Sequence, residues 1–89
     1  ESSEQESNLA SAQADRTAAQ SEVATAQWNL EQTSELFKAG AVGEREHKAA
    51  EQSLVAAKAR LAAAEARVRA TSSLVRDTRV LVPELLDRT

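Results

Sequence analysis

Strong helix breakers occur at only three positions in this 89-residue chain, Gly40, Gly43 and Pro83. The long stretches between them consist largely of Ala, Gln, Glu, Leu, Lys and Arg, which have high helix propensity. The sequence therefore predicts two long helices and almost nothing else. The predicted elements are a helix at about 4–39, a turn at about 40–43, a helix at about 44–82 and a tail at about 83–89.

The two glycines fall where a chain reversal needs them. Gly40 suits the left-handed residue that ends a helix, and Gly43 can cap the start of the next one. Each helix would be about 50 Å long at 1.5 Å per residue. Because so few residues join the two helices, the second must fold back along the first in an antiparallel hairpin. We expect an all-α fold, with two antiparallel helices forming a single coiled-coil hairpin.

Both predicted helices carry a heptad repeat with a bulky residue at position a and a small one at position d. In an antiparallel pair, a faces d of the other helix, so each layer matches a large residue with a small one. This arrangement accounts for 19 alanines against 18 larger apolar residues, which are too few for a globular core. The a positions are Leu9, Arg16, Val23, Leu30, Phe37, His47, Leu54, Leu61, Val68, Val75 and Val82. The d positions are Ala12, Ala19, Ala26, Thr33, Ala50, Ala57, Ala64, Thr71 and Thr78.

Arg16 interrupts this repeat at an a position. We expect its aliphatic stem to pack on Ala64 or Thr71 while the guanidinium reaches water. The alternative is a polar residue that sets the register of the two helices.

Complementary charges flank the predicted seam. Asp15 and Glu22 on the first helix can meet Arg67 and Arg60, respectively, on the second. Exposed pairs of this kind contribute only a few tenths of a kcal/mol each, so they adjust the register rather than create the fold.

Composition and charge argue against several classes of function. The net charge of −3 and the lack of a basic patch argue against nucleic acid as a partner. No apolar run approaches the roughly 20 residues that cross a bilayer, so we expect no direct membrane insertion. His47 is the only histidine and there is no cysteine. A two-helix rod also offers no enclosed pocket for catalysis, so we predict no enzyme activity, no metal site and no cofactor.

Two apolar side chains are expected to be exposed together at the hairpin tip. Leu36 falls at position g and Val42 in the turn, where they could form a docking knob beside Gly40. Trp28 falls at position f, facing away from the seam. Trp is favoured at interfaces, so Trp28 could contact a neighbouring hairpin.

Three segments resemble the α-helical hairpin of periplasmic adaptor proteins, the HlyD-like membrane fusion proteins. Residues 36–42 read Leu-Phe-Lys-Ala-Gly-Ala-Val and are followed by Gly-Glu-Arg-Glu at 43–46. Residues 75–83 read Val-Arg-Asp-Thr-Arg-Val-Leu-Val-Pro, similar to the family's return into a lipoyl-like domain. The resemblance covers roughly residues 9–83, and it implies that the chain is one arm of a larger adaptor.

The resemblance implies a periplasmic location and a bridging role. Such adaptors connect an inner-membrane transporter to a TolC-like outer-membrane channel, and their hairpins associate in a ring. The family's tip pattern is an Arg, then a Leu four residues later, then a Ser seven residues after the Leu. Leu36 matches the Leu, whereas Gln32 and Gly43 stand at the other two positions. The resemblance thus implies a partner-binding tip at Gln32, Leu36, Gly40, Val42 and Gly43, and it leaves the transporter class open.

Two other functions fit a helical hairpin of this composition. One is a generic coiled-coil dimerisation or scaffold module with no role in efflux or secretion. The other is a helical segment of an outer-membrane channel, although the Asp-Val-Leu element typical of such chains is absent.

Overall fold

The structure is a computed structural model that describes the backbone of residues 2–88 and the side chains of residues 3–77. Within those ranges it contains two helices and no strand: α1 (Ser2–Lys38) and α2 (Glu44–Arg88). The helices pack along their length into a rod with dimensions of 75 × 14 × 13 Å. This confirms the predicted all-α hairpin.

A hydrogen-bonded glycine motif ends α1. Gly40 has a φ of +78°, in the left-handed region that favours glycine. Its N–H donates to the carbonyl of Phe37, and the Ala41 N–H donates to the carbonyl of Leu36. These two bonds define a Schellman motif, which satisfies carbonyls that the end of a helix leaves unpaired. The prediction for Gly40 is confirmed.

The start of α2 follows the prediction for Gly43. The Gly43 carbonyl accepts a hydrogen bond from the His47 N–H at 3.2 Å, which is the first intrahelical bond of a capped helix. Glu44 and Glu46 occupy the first turn, where negative charge interacts favourably with the helix dipole.

The far end of α2 differs from the prediction. The sequence placed the end of the helix near residue 82, but α2 continues past Pro83 to Arg88. A proline inside a helix costs about 3 kcal/mol. This cost is local to one turn, and the Leu, Glu and Arg residues around Pro83 favour helix. Thr78 and Val82, which the heptad repeat assigned to the seam, lie outside the described side chains.

The core of the rod is the predicted seam. Among the described residues, every buried hydrophobic side chain occupies an a or d position: Ala12, Ala19, Ala26, Leu54, Ala57, Val68 and Val75. At its centre, Ala26, Leu54 and Ala57 form a buried cluster against which Val23 and Leu30 pack. Large residues of one helix thus meet alanines of the other.

Two interhelical ion pairs report the register of the hairpin. Arg60 Nε donates to Glu22 Oε1 at 3.1 Å, and Arg67 Nη1 donates to Asp15 Oδ2. The second pair lies seven residues before the first in α1 and seven residues after it in α2, as antiparallel helices require. Both pairs had been predicted from the sequence, and both are confirmed.

Candidate functional site

An aromatic stack closes the seam at the tip. The rings of Phe37 and His47 are stacked, with centroids 4.8 Å apart and planes inclined by 7°. Ser34 Oγ and His47 Nε2 are hydrogen-bonded at 3.1 Å, and the tautomer of the imidazole decides which group donates. The last layer therefore joins both helices through polar as well as aromatic contacts.

Leu36 and Phe37 form the exposed apolar surface of the tip. Leu36 is 46% exposed, as its g position predicted, and Phe37 is 39% exposed. Phe37 was expected inside the seam. It occupies the last a position of α1, beyond which only the turn remains, so no further layer covers its outer side.

Val42 is less exposed than expected. The sequence placed it in the turn as an exposed partner of Leu36, but the structure shows it half-buried. The second exposed apolar side chain of the tip is therefore Phe37. Hereafter, "the tip surface" means Leu36, Phe37 and Val42.

The other residues assigned to the tip lie around this surface. Gln32 is exposed one helical turn before Leu36, a spacing that places the two residues on neighbouring positions of one helix face. Gly40 and Gly43 are exposed in the turn, and an added Cβ would meet no atom within 4 Å at either position. The space around both glycines is therefore open.

Trp28 lies two helical turns from Leu36 on the outer side of α1. It is 60% exposed, in agreement with its f position. Between Trp28 and the turn, Glu31 accepts a hydrogen bond from Gln27 and Lys38 pairs with Glu35 at 3.8 Å, both within α1. Trp28 is thus separate from the tip surface.

Arg16 is half-buried in the seam, and its Nε is buried without a hydrogen-bond partner. Burial of the side chain therefore extends as far as Nε, so the expectation that the guanidinium reaches water is wrong for this atom. A buried N–H without an acceptor costs free energy, so Nε reduces the stability that the rest of the Arg16 side chain contributes to the seam.

The described residues provide no arrangement typical of a metal site. No group of three or more His, Cys, Asp or Glu among them could hold a metal ion. The hollows between the helices are shallow and open, with volumes of about 320 and 370 Å³. No helix within the described residues is both long and apolar enough to cross a membrane.

Sequence reasoning missed the contact between Ser34 and His47. The heptad repeat places Ser34 at position e, directly beside the seam, and His47 at the first a position of α2. The hydroxyl of Ser34 lies beside the seam at the same level as His47, and this placement could have predicted the hydrogen bond.

Comparisons with known proteins gave no relative. No protein-family model matches the chain, and no curated protein and no solved structure is significantly similar to it. The resemblance to periplasmic adaptors depends on the sequence segments alone.

Proposed function

We propose that this chain is a non-enzymatic docking arm that binds a partner protein through the tip surface of its hairpin. The observation that carries the proposal is the exposure of Leu36 and Phe37 together at the closed end of a 75 Å rod. An apolar patch at the end of a long support is well placed to reach a distant partner. Exposed apolar clusters commonly mark interaction sites.

The order of the tip supports this role. The Schellman motif fixes the backbone after Leu36, and the stack on His47 fixes the ring of Phe37. A surface that is already ordered loses little conformational entropy on binding. A small patch can therefore contribute useful affinity.

Within this proposal, the parent protein is a periplasmic adaptor of a tripartite efflux or type I secretion system. The tip would dock to a TolC-like outer-membrane channel, and the rest of the parent would bind an inner-membrane transporter. The basis is the resemblance at residues 36–46 and 75–83. Association of hairpins in a ring, with Trp28 between neighbours, belongs to the same proposal.

The test is binding of the hairpin to purified TolC-like channels, with one variant at the tip and one far from it. Leu36 and Leu74 are both leucines at g positions, with exposed fractions of 46% and 51%. We expect Leu36→Asp to weaken binding at least tenfold and Leu74→Asp to leave it unchanged. Circular dichroism would verify that both variants are folded.

Other outcomes favour the two alternatives. Equal binding by both variants would place the contact away from the tip and favour a scaffold module. If no channel binds the folded hairpin, the adaptor assignment is wrong. A chain that instead inserts into channel assemblies as a structural segment would favour the channel alternative.

A further inference from the structure

One flank of the rod carries two interhelical ion pairs. We call it the ion-pair flank, and it consists of Asp15 and Glu22 on α1 and Arg60 and Arg67 on α2. The acids all belong to α1 and the bases all belong to α2. Their side chains are about half exposed, so each charge retains a side that faces away from its own hairpin.

The surface between the two ion pairs is low and open. A hollow of about 370 Å³ lies there, and its floor is formed by Ala18, Ala19, Ala63 and Ala64. Because these side chains end at Cβ, nothing projects between the charged side chains. Another rod could approach the flank closely without a steric clash.

We propose that a second copy of this hairpin packs on the ion-pair flank, parallel to the first and with the tips at the same end. A two-fold axis along the rod would lay α1 of one copy over α2 of the other. Glu22 would then face Arg60 of the second copy, and Asp15 would face Arg67 of the second copy. Each interhelical ion pair would become a ring of four alternating charges.

The opposite orientation is disfavoured by the same charges. With antiparallel rods, a two-fold axis across the flank lays α1 over α1 and α2 over α2. With the axis at the level of Ala18, Glu22 would face Asp15 of the second copy, and Arg60 would face Arg67. Like charges in contact suppress association, so the charge pattern selects the parallel pair.

The available area fits a weak dimer. The flank from residue 8 to residue 36 of α1 is about 42 Å long at 1.5 Å per residue, and the rod is 14 Å wide. The product is about 600 Å² per copy, at the low end of specific interfaces. Pairing is therefore expected at high protein concentration and should weaken as salt increases. Leu36 lies at the tip end of this flank, so pairing would cover part of the tip surface, but the proposal does not require that the tip docks to a channel.

The main experiment uses a charge-swapped chain that carries Asp15→Arg, Glu22→Arg, Arg60→Glu and Arg67→Glu together. The swap preserves both ion pairs within each hairpin, so the hairpin should still fold. In a parallel dimer, two swapped chains remain complementary. A swapped chain facing an unswapped chain would place like charges in every layer.

Pairing can be measured by disulfide formation, since the chain has no cysteine of its own. One preparation carries Ala18→Cys and the other Ala63→Cys, at positions that lie at the same level on different helices. We expect a mixed disulfide when both preparations are unswapped and when both are swapped. We expect at least a fivefold lower yield when only one preparation is swapped.

A matched control exchanges the two charges of an ion pair that lies outside the ion-pair flank. Glu44 and Lys48 pair at 3.8 Å within α2, and the heptad repeat places both positions away from the ion-pair flank. Reversing that pair by Glu44→Lys and Lys48→Glu in one preparation should leave the disulfide yield unchanged.

Three results would overturn the proposal. One is an equal yield in all four charge combinations, which would mean that the flank charges do not face each other. The second is a dominant disulfide between two Ala18→Cys chains, which would indicate antiparallel rods. The third is a chain that sediments as a monomer at millimolar concentration.

Discussion

The middle of the seam and the tip of the hairpin use different means to hold the same two helices together. In the middle, alanines and leucines alternate across the interface, and Ala57 is only 1% exposed. At the tip, an aromatic stack, a side-chain hydrogen bond and a Schellman motif replace that packing. The middle hides its apolar atoms and can only stabilise the fold. The tip leaves part of its apolar atoms exposed, and those atoms remain available for binding.

The largest expected difference between the two regions concerns Leu54 and Phe37. Leu54→Ala should lower the free energy of unfolding by about 2–3 kcal/mol, because it leaves a cavity in the central cluster. Phe37→Ala should cost about 1 kcal/mol although phenylalanine is larger, because Phe37 is only partly buried. Urea denaturation followed by circular dichroism would measure both. A greater loss for Phe37→Ala would reverse the comparison.

The small residues of the middle can be tested in the opposite direction. Ala57→Leu should lower the free energy of unfolding by about 2 kcal/mol, because a larger side chain forces the closely packed helices apart. The matched control is Ala59→Leu, at an exposed position one half-turn away, which should change stability by less than about 0.5 kcal/mol. If both variants were equally stable, the seam would not depend on small residues.

Arg16 marks a weak layer of the seam, and its replacement should stabilise the hairpin. Arg16→Leu removes a buried N–H that has no acceptor and restores an apolar a position. The free energy of unfolding should rise by about 1.5 kcal/mol. Thermal denaturation would detect the change. A loss of stability, or a change of oligomeric state, would instead support the interpretation of Arg16 as a residue that sets the register.

The smallest effects are expected in the turn. Gly40→Ala should lower the free energy of unfolding by about 1 kcal/mol, because the left-handed backbone strains any residue with a Cβ. Gly43→Ser serves as the control, since serine is at least as good a helix cap as glycine. It should be neutral or stabilise the hairpin by a few tenths of a kcal/mol. Equal losses from both variants would mean that the turn tolerates no side chain at all.

The fold was predictable because its determinants are local. The positions of Gly40 and Gly43 set the turn, and the seven-residue period assigned the seam and the facing pairs Asp15–Arg67 and Glu22–Arg60. The tip was predicted less well. The heptad repeat treats Phe37 as one more core position, whereas its exposure depends on the absence of a further layer. The continuation of α2 past Pro83 was missed because the proline was given more weight than the helix formers around it.

The register of the hairpin also has a consequence for how the chain folds. Contacts across the rod join residues that are 13 positions apart at Ser34–His47, 38 apart at Glu22–Arg60 and 52 apart at Asp15–Arg67. Closing a short loop costs less entropy than closing a long one, so the tip is expected to form first. Each completed layer then shortens the loop that the next layer must close. Assembly should proceed from the tip towards the chain ends, so the surface proposed to bind a partner would be the first part of the molecule to take shape.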